Sequence, residues 1–384
     1  MKEGWECKKL SDVGTVVTGS TPSTKDADNY NSCDVCFVKP SDIPKDGIGI
    51  LSDTEFHISN KAYDKSRKLP IGSVLTTCIG IVGKVGILKV EATCNQQINA
   101  IIPNTNIVPS FLAYSILSKK QSLEKTANAP VVPIINKKDF SNTTILVPPL
   151  LEQQHIVEEL DLLSTIIEKK KAQLNELDNL AQSLFYEMFG DPITNEKGWK
   201  MEKLGKLCTT SSGGTPSKSH IEFYEGGDIP WLRSGEVAQG FIFDTELFIT
   251  EEGLKNSSAK YFPIDTVVVA MYGATVGQVG ILKKEMTTNQ AVCGIFPNNF
   301  YVPTFLMYFL KGMKPAYLKD ASGGAQPNIS QGVIKNTLVP TVPLTIQQSF
   351  VNRIEAIEHQ KELIKKSIKE VETLLNSRMD YYFN

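Results

Sequence analysis

The sequence predicts an α/β fold in which two copies of one domain are each followed by a long helix. The first observation is that distinctive segments recur 194 residues apart: Gly4-Trp5 returns as Gly198-Trp199, and 85–89 (VGILK) returns as 279–283. Solenoid repeats have periods of roughly 20–50 residues, so this spacing indicates the duplication of a whole domain. The second observation is that a heptad pattern of apolar residues begins after each copy.

The two domain copies are expected at residues 1–149 and 191–343. Each contains short apolar runs bounded by glycine, proline and asparagine, which are typical of strands in a compact, turn-rich domain. In both copies a Val-Pro step precedes an apolar segment, and this predicts short helices at 110–118 and 304–311 with proline near the helix start.

The long helices are expected at 150–190 and 344–384, each beginning just after a proline, with the first ending at Gly190-Asp191-Pro192. At ~1.5 Å per residue, roughly 40 residues give about 60 Å of helix. We predict that they pair as an antiparallel coiled coil with pseudo-two-fold symmetry; the alternative is that each packs on its own domain. The predicted seam is Ile156, Leu160, Leu163, Ile167, Leu174, Leu177, Ile354, Ile357, Ile364, Ile368 and Val371.

Composition limits the cellular setting. No apolar run approaches the roughly 18–20 residues that span a bilayer, and the N-terminus does not resemble a signal peptide, so we expect a cytoplasmic protein without membrane contact. The formal net charge is −2, but residues 1–149 carry 17 Lys+Arg against 14 Asp+Glu, and residues 198–343 carry 13 against 12. This distribution neither requires nor excludes a nucleic-acid partner, because a local basic patch is enough to bind phosphates.

Seven cysteines, an odd number, favour reduced thiols over a disulfide framework. Cys33 and Cys36 have the internal spacing of a zinc-binding pair, but no second Cys-x-x-Cys or histidine pair follows, and the second copy has no matching cysteines. The expectation from the sequence is therefore no metal site.

Motifs for catalysis are also missing from the sequence. It contains no phosphate-binding glycine loop, no G-x-S-x-G and no H-E-x-x-H, and its four histidines do not correspond between the copies. The glycine-rich segments that begin at Gly80 and Gly273 are interpreted as tight turns between strands. We therefore expect a protein without catalytic residues and without a cofactor.

Polar and aromatic residues on the predicted loops differ between the copies, and such side chains can bind phosphates and read base edges. Lys39-Pro-Ser-Asp42 corresponds to Arg233-Ser-Gly-Glu236, where a base is followed three residues later by an acid. This pair could equally be a structural ion pair. The alternative is that these loops have simply diverged and that their charges are solvated. If the loops bind DNA, the residues expected to contact it are Lys39, Lys45, Lys65, Arg67 and Lys68 in the first copy, and Lys218, Arg233, Lys255 and Lys260 in the second.

Taken together, these motifs resemble the specificity subunits of type I restriction-modification systems over the whole chain. The resemblance rests on the Gly-Trp-x3-Lys-Leu entry of each copy, the Gly-(Ser/Gly)-Thr-Pro-Ser loops, the Gly-x-Val-Gly-Ile strands, the Asn-Gln pairs, and the Leu-x-x-Gln-Gln opening of each long helix. The first copy departs from the family pattern in one loop. Its residues 132–136 (VPIIN) differ from the corresponding residues 326–330 (QPNIS) of the second copy, which have the form that is usual in the family.

The resemblance implies two target recognition domains, 1–149 and 191–343, held apart by spacer helices 150–190 and 344–384. Each domain would read one part of a split, asymmetric sequence in double-stranded DNA. The helices would set the spacing and scaffold two methyltransferase subunits, which carry S-adenosylmethionine, and restriction subunits would join the full complex. Two alternatives remain open: a subunit of a related system in which cleavage and methylation are fused elsewhere, and a scaffold that binds only protein.

Overall fold

The computed structural model describes residues 4–127, 132–322 and 327–384, and these divide into two compact units. Unit 1 comprises 1–171 and 366–384, and unit 2 comprises 172–365. Each unit therefore contains one domain copy, part of the first long helix and part of the second.

The strands of the first domain copy are β1 Glu6–Lys9, β2 Gly14–Thr18, β3 Val35–Val38, β4 Ile48–Leu51, β5 His57–Ile58, β6 Val74–Thr77, β7 Val85–Leu88, β8 Ala92–Cys94, β9 Ile98–Pro103 and β10 Thr144–Val147; the helices are α1 Leu10–Val13, α2 Asn60–Asp64, α3 Pro109–Ser118, α4 Lys120–Thr126, α5 Lys137–Asn142 and, after the domain, α6 Leu150–Phe189. Unit 1 is built around a five-stranded sheet in the order β2-β9-β6-β7-β4, in which only the β4–β7 pair is parallel. A three-stranded sheet, β5-β3-β8, and a two-stranded sheet, β1-β10, complete the domain. Every residue of β6 and β7 is buried, as expected for central strands covered on both faces.

Unit 2 repeats this plan. The strands are β11 Met201–Lys203, β12 Thr210–Ser212, β13 Ile229–Leu232, β14 Phe241–Ile242, β15 Phe248–Ile249, β16 Tyr261–Phe262, β17 Val267–Ala270, β18 Val279–Leu282, β19 Met286–Thr288, β20 Val292–Ile295 and β21 Leu338–Pro340; the helices are α7 Leu204–Leu207, α8 Glu251–Lys255, α9 Pro303–Gly312, α10 Lys314–Asp320, α11 Gln331–Asn336 and α12 Leu344–Phe383. The five-stranded sheet runs β12-β20-β17-β18-β14, beside a four-stranded sheet β15-β13-β19-β16 and the pair β11-β21. The short helices predicted after Val-Pro are α3 and α9, each with proline in its first turn.

The two long helices, α6 and α12, are each 40 residues long. Gly190 follows α6 with φ of +82°, the left-handed conformation that commonly ends a helix. Within unit 1 the helices run antiparallel: Arg378 forms a two-pronged ion pair with Glu159, and the Lys171 ammonium lies 3.3 Å from the Glu372 carboxylate. Within unit 2 the two helices are joined by the Lys361–Asp178 ion pair at 2.7 Å.

The predicted seam residues lie on the less exposed side of both helices. Ile156, Leu160, Leu163, Ile167, Ile354, Ile357 and Ile368 are buried, whereas Leu174, Leu177, Ile364 and Val371 are half-buried.

The C-terminal ends of the long helices also pack on the domains, in each case on the domain of the other copy and not on their own. Phe383, at the end of α12, lies 5.5 Å from the Phe111 ring in unit 1, and Phe189, at the end of α6, lies 4.8 Å from the Phe305 ring in unit 2. Phe383 and Phe189 are 194 residues apart, as are Phe305 and Phe111. Each long helix therefore begins beside its own domain copy and ends in the core of the unit that contains the other copy.

The Leu-x-x-Gln-Gln motif has a structural role at the start of each long helix. The Gln347 amide is buried; its Oε1 accepts from the Val302 backbone N–H at 2.9 Å, and its Nε2 donates to the carbonyls of Phe300 and Val342 at 3.0 and 2.8 Å. Gln153 makes the equivalent three hydrogen bonds in unit 1. The amide thus joins the long helix to the loop before α9 or α3.

Replacing Gln347 with leucine is expected to lower the free energy of unfolding by roughly 2–5 kcal/mol. The substitution leaves the buried Val342 carbonyl and the partly buried Val302 N–H and Phe300 carbonyl without this partner, and an unsatisfied buried group costs about 1–3 kcal/mol before relaxation. Urea unfolding of the full chain measures the change. The matched control is Gln348→Leu, since Gln348 is the exposed neighbour, and its change is expected to stay within about 0.5 kcal/mol. Equal effects of the two substitutions would contradict this role for the buried amide.

Among the described residues, no helix is both long enough and apolar enough to cross a membrane.

Candidate nucleic-acid interface

The Gly-x-Thr-Pro-Ser loop and the Asn-Gln pair, which are distant in sequence, meet in each unit. In unit 1 the Thr21 hydroxyl donates to Oε1 of Gln96, and in unit 2 Thr215 donates to Gln290 in the same way. The backbone is joined as well, since Ser20 N–H donates to the Cys94 carbonyl at 2.9 Å and Gly214 N–H to the Thr288 carbonyl at 2.9 Å. We call these two surfaces recognition face 1 (19–23 with 95–96) and recognition face 2 (213–217 with 289–290).

Glycine is required at the start of each loop because the chains approach very closely there. A Cβ on Gly19 would lie 2.1 Å from the Asn95 carbonyl oxygen, and one on Gly213 would lie 2.1 Å from that of Thr288. The first glycine of the motif is therefore explained by backbone packing, whereas Ser23, Gln96, Ser217 and Gln290 remain exposed.

One basic side chain adjoins each recognition face at an equivalent position. Arg67 donates from Nη1 to the carbonyl of Thr18, the last residue of β2, and the Lys260 ammonium donates to the Ser211 hydroxyl of β12 at 2.8 Å. Both side chains are exposed. A cation beside exposed hydroxyl and amide groups provides the donors that bind phosphates and the groups that read base edges. Of the predicted DNA-binding residues, Arg67 and Lys260 adjoin the recognition faces at equivalent positions in the two units, and Lys218 directly follows recognition face 2 in the sequence.

Lys39 and Arg233 lie in a different setting. In both copies the acid three residues later binds two backbone N–H groups: Asp42 accepts from Lys39 and Glu55 at 2.7 and 3.0 Å, and Glu236 accepts from Arg233 and Glu246 at 3.0 and 2.7 Å. The matched acids therefore tie the end of β3 or β13 to the loop before β5 or β15 through backbone N–H groups. The ion pair considered as the alternative is present between Arg233 and Glu236, at 3.7 Å.

The two basic side chains of these pairs are engaged differently. The Lys39 ammonium lies 2.9 Å from the centroid of the Phe56 ring, whereas the Arg233 guanidinium forms ion pairs with Glu246 and Glu236. Arg233 is thus partly neutralised by two carboxylates. This arrangement weakens the case for Arg233 as a direct contact to phosphate.

The remaining predicted residues are exposed, with different local partners. Lys68 pairs with Asp64 at 2.8 Å, and this hydrogen bond raises the pKa of Lys68 above its ordinary value. Lys65 follows the C-terminus of α2, Lys255 ends α8, and Lys218 lies in the loop after recognition face 2. The Lys45 carbonyl accepts from the Lys120 ammonium at 3.2 Å.

The sequence comparison missed two equivalences because it kept the 194-residue offset too far along the chain. Asp53-Thr54-Glu55 corresponds to Asp244-Thr245-Glu246, and Thr54 and Thr245 both accept from a backbone N–H of β3 or β13 at 3.2 Å. Arg67 corresponds to Lys260, two residues before Leu69-Pro70 and Phe262-Pro263 respectively. A local realignment on the repeated Asp-Thr-Glu would have found both. The departure noted at 326–330 begins at Gln326, which lies outside the described residues.

A family model for the type I restriction modification DNA specificity domain matches this chain twice, at residues 2–179 and 196–373. The chain belongs to this family. The resemblance inferred from the repeated motifs is thereby confirmed, and so is the predicted fold class of two α/β recognition domains with two long helices.

Curated members of the type I specificity family align over nearly the whole chain. The MjaIX specificity subunit of Methanocaldococcus jannaschii is 26% identical over 94% of this chain and 89% of its own length. The EcoKI specificity subunit of Escherichia coli K12 is 22% identical over 98% of this chain and 87% of its own.

Two solved structures share the fold. The S subunit of a type I system from M. genitalium superimposes with a TM-score of 0.54 at 14% identity, covering 99% of this chain and 96% of its own. A chain solved in work on the assembly and conformational transition of a type I system gives a TM-score of 0.61 at 20% identity, covering 99% and 97%.

Proposed function

We propose that this specificity subunit recognises a bipartite, asymmetric DNA sequence, with one half read by each unit. The observation that carries the proposal is the presence of two equivalent recognition faces, each with an exposed basic side chain beside it. Two copies of one surface suit two half-sites.

Asymmetry of the site is supported by the side chains around the two faces. Arg67 presents a planar fork of donors, whereas Lys260 presents a single ammonium, and the two groups favour different acceptors on base edges. The loop after recognition face 2 carries Lys218 and His220, where recognition face 1 is followed by Thr24 and Asp26. Different groups at equivalent positions are expected to favour different bases.

The chain is proposed to act as a non-catalytic subunit in the cytoplasm, without a cofactor of its own. Membership of the specificity family supports DNA recognition and assembly with other subunits. The finer assignment is that two methyltransferase subunits dock on the helices and domains, and that restriction subunits join the full complex. The repeated sequence supports two methyltransferase sites, because each copy presents similar surface elements.

The test is the salt dependence of binding to duplex DNA by the full chain with its methyltransferase subunit. Each phosphate contact adds about 0.9 to the slope of log affinity against log salt concentration. Arg67→Ala and Lys260→Ala are each expected to lower the magnitude of that slope by about 0.9, the value for one phosphate contact.

The control variant is Lys206→Ala, since this exposed lysine lies on α7 and pairs with Glu202 at 3.0 Å. Its slope is expected to equal that of the unmodified chain. A protein-binding scaffold would show no salt-dependent affinity for DNA at all, and that outcome would refute the proposed function.

A further inference from the structure

A cysteine, a histidine and an aspartate come together in unit 1. Cys36 Sγ lies 3.9 Å from Nε2 of His57 and 3.7 Å from Oδ1 of Asp53, and that Nε2 and Oδ1 lie 2.9 Å apart. Within residues 4–127, 132–322 and 327–384, this is the single group of three such donors whose ligand atoms all lie within 4.8 Å of one another.

The backbone holds the three side chains in place without help from a ligand. Cys36 on β3 and His57 on β5 are direct cross-strand partners in an antiparallel pair, so their side chains lie on the same face of the sheet. Asp53 accepts from the Thr54 backbone N–H at 2.8 Å, and the Thr54 hydroxyl accepts from Phe37 N–H of β3. The aspartate is therefore fixed to the same strand that carries the cysteine.

The donor set and its distances fit a tetrahedral transition-metal site. Zinc binds thiolate at about 2.3 Å and imidazole or carboxylate at about 2.0–2.2 Å, so ligand atoms around it lie ~3.3–3.6 Å apart. The three observed separations lie within about half an ångström of that range. Sulfur, nitrogen and oxygen donors together suit Zn²⁺ and the neighbouring divalent metals rather than Mg²⁺ or Ca²⁺.

We propose that Cys36, Asp53 and His57 form a binding site for a divalent metal of the zinc class, with a fourth position open to water. The site belongs to unit 1 alone: in unit 2 the equivalent cross-strand pair is Pro230 and Phe248, and only Asp244 remains. The sequence analysis expected no metal because it paired Cys36 with Cys33, whereas the fold supplies His57 and Asp53 instead.

A metal at this site would clamp the loop before β5 onto β3. That loop carries Phe56, whose ring lies under the Lys39 ammonium, and Glu55, whose N–H binds Asp42. Metal binding would therefore stabilise the connection between β3 and the loop before β5. Asp42 makes the same connection by accepting from the Glu55 N–H, as Glu236 does from the Glu246 N–H in unit 2. The proposal does not depend on DNA recognition by either unit.

The experiment is a titration of the full chain, stripped with chelator under reducing conditions, with Co²⁺ as a spectroscopic substitute for Zn²⁺. One equivalent is expected to give thiolate-to-cobalt charge-transfer absorption and the d–d bands of tetrahedral coordination, and Zn²⁺ is expected to displace it. Cys36→Ser should abolish the charge-transfer band. His57→Phe, which installs the residue type of unit 2, and Asp53→Asn should each weaken binding at least tenfold.

Cys33→Ser is the matched control, because this exposed thiol lies three residues from Cys36. Its titration is expected to match that of the unmodified chain. The proposal is overturned if the charge-transfer band is absent, if it persists in Cys36→Ser, or if it is lost in Cys33→Ser. Circular dichroism of each variant establishes that it is folded. The conservative Asp53→Asn change keeps an acceptor for the Thr54 N–H, so it tests the metal site without disturbing the strand pair.

Discussion

Removing residues 366–384 is expected to destabilise unit 1 strongly while leaving unit 2 folded. These residues are the part of α12 that belongs to unit 1. The deletion removes Phe383, which is 2% exposed and packs on Phe111, and it breaks the Arg378–Glu159 ion pair. Truncating a single buried phenylalanine to alanine costs about 3–5 kcal/mol, so loss of the whole segment is expected to cost at least that much.

Hydrogen exchange, read separately for each unit, measures this effect. The amides of β6 and β7 are expected to lose protection in the truncated chain, whereas those of β17 and β18 keep theirs. A point substitution, Phe383→Ala, should also lower the protection of β6 and β7 in the full chain, and Leu374→Ala, which truncates an exposed apolar residue of the same segment, serves as its control. Equal loss of protection in both units would contradict the claim that residues 366–384 stabilise unit 1 and not unit 2.

Lys260→Ala is expected to relax recognition at one half of the DNA site and leave the other half unchanged. Losing one good base contact costs about 1–3 kcal/mol, which corresponds to roughly a 5- to 150-fold change in discrimination, whereas losing a phosphate contact would weaken binding to every sequence alike. Arg67→Ala is expected to have the reciprocal effect on the other half. The measurement is the methylation pattern produced by each variant together with the methyltransferase subunit, read as base tolerance at every position of the motif.

Arg233 provides the contrast for that experiment. Because its guanidinium is already paired with Glu246 and Glu236, Arg233→Ala is expected to change base tolerance less than Lys260→Ala does. Relaxation of both halves by either Arg67→Ala or Lys260→Ala would refute the assignment of one face to one half-site.

The architecture was predictable because its signals are local or repeated. The prolines before Leu150 and Leu344 and the glycine at 190 mark helix ends through their backbone chemistry, and the structure places α6 and α12 within one residue of the expected limits. The heptad pattern predicted the faces of these helices that pack. Phe185 and Phe189 were missed as core residues, since they belong to the α6 segment that packs against the second domain.

The candidate sites were less predictable because they depend on contacts between distant segments. Thr21 and Gln96 each belong to a visible motif, but only the fold brings them together. The equivalence of Arg67 and Lys260 was hidden by loops of unequal length. Cys36 was visible as part of a cysteine pair, yet its neighbours His57 and Asp53 come from a strand pairing that spacing along the chain does not reveal.

The central claim is that two equivalent units read two different half-sites, and modification mapping tests it most directly. This chain is expressed with its cognate methyltransferase subunit, and the methylated positions in the DNA are sequenced. A split, asymmetric motif with one methylated adenine on each strand is the predicted result. A continuous motif, a symmetric motif, or an unmethylated genome despite a stable complex would contradict it.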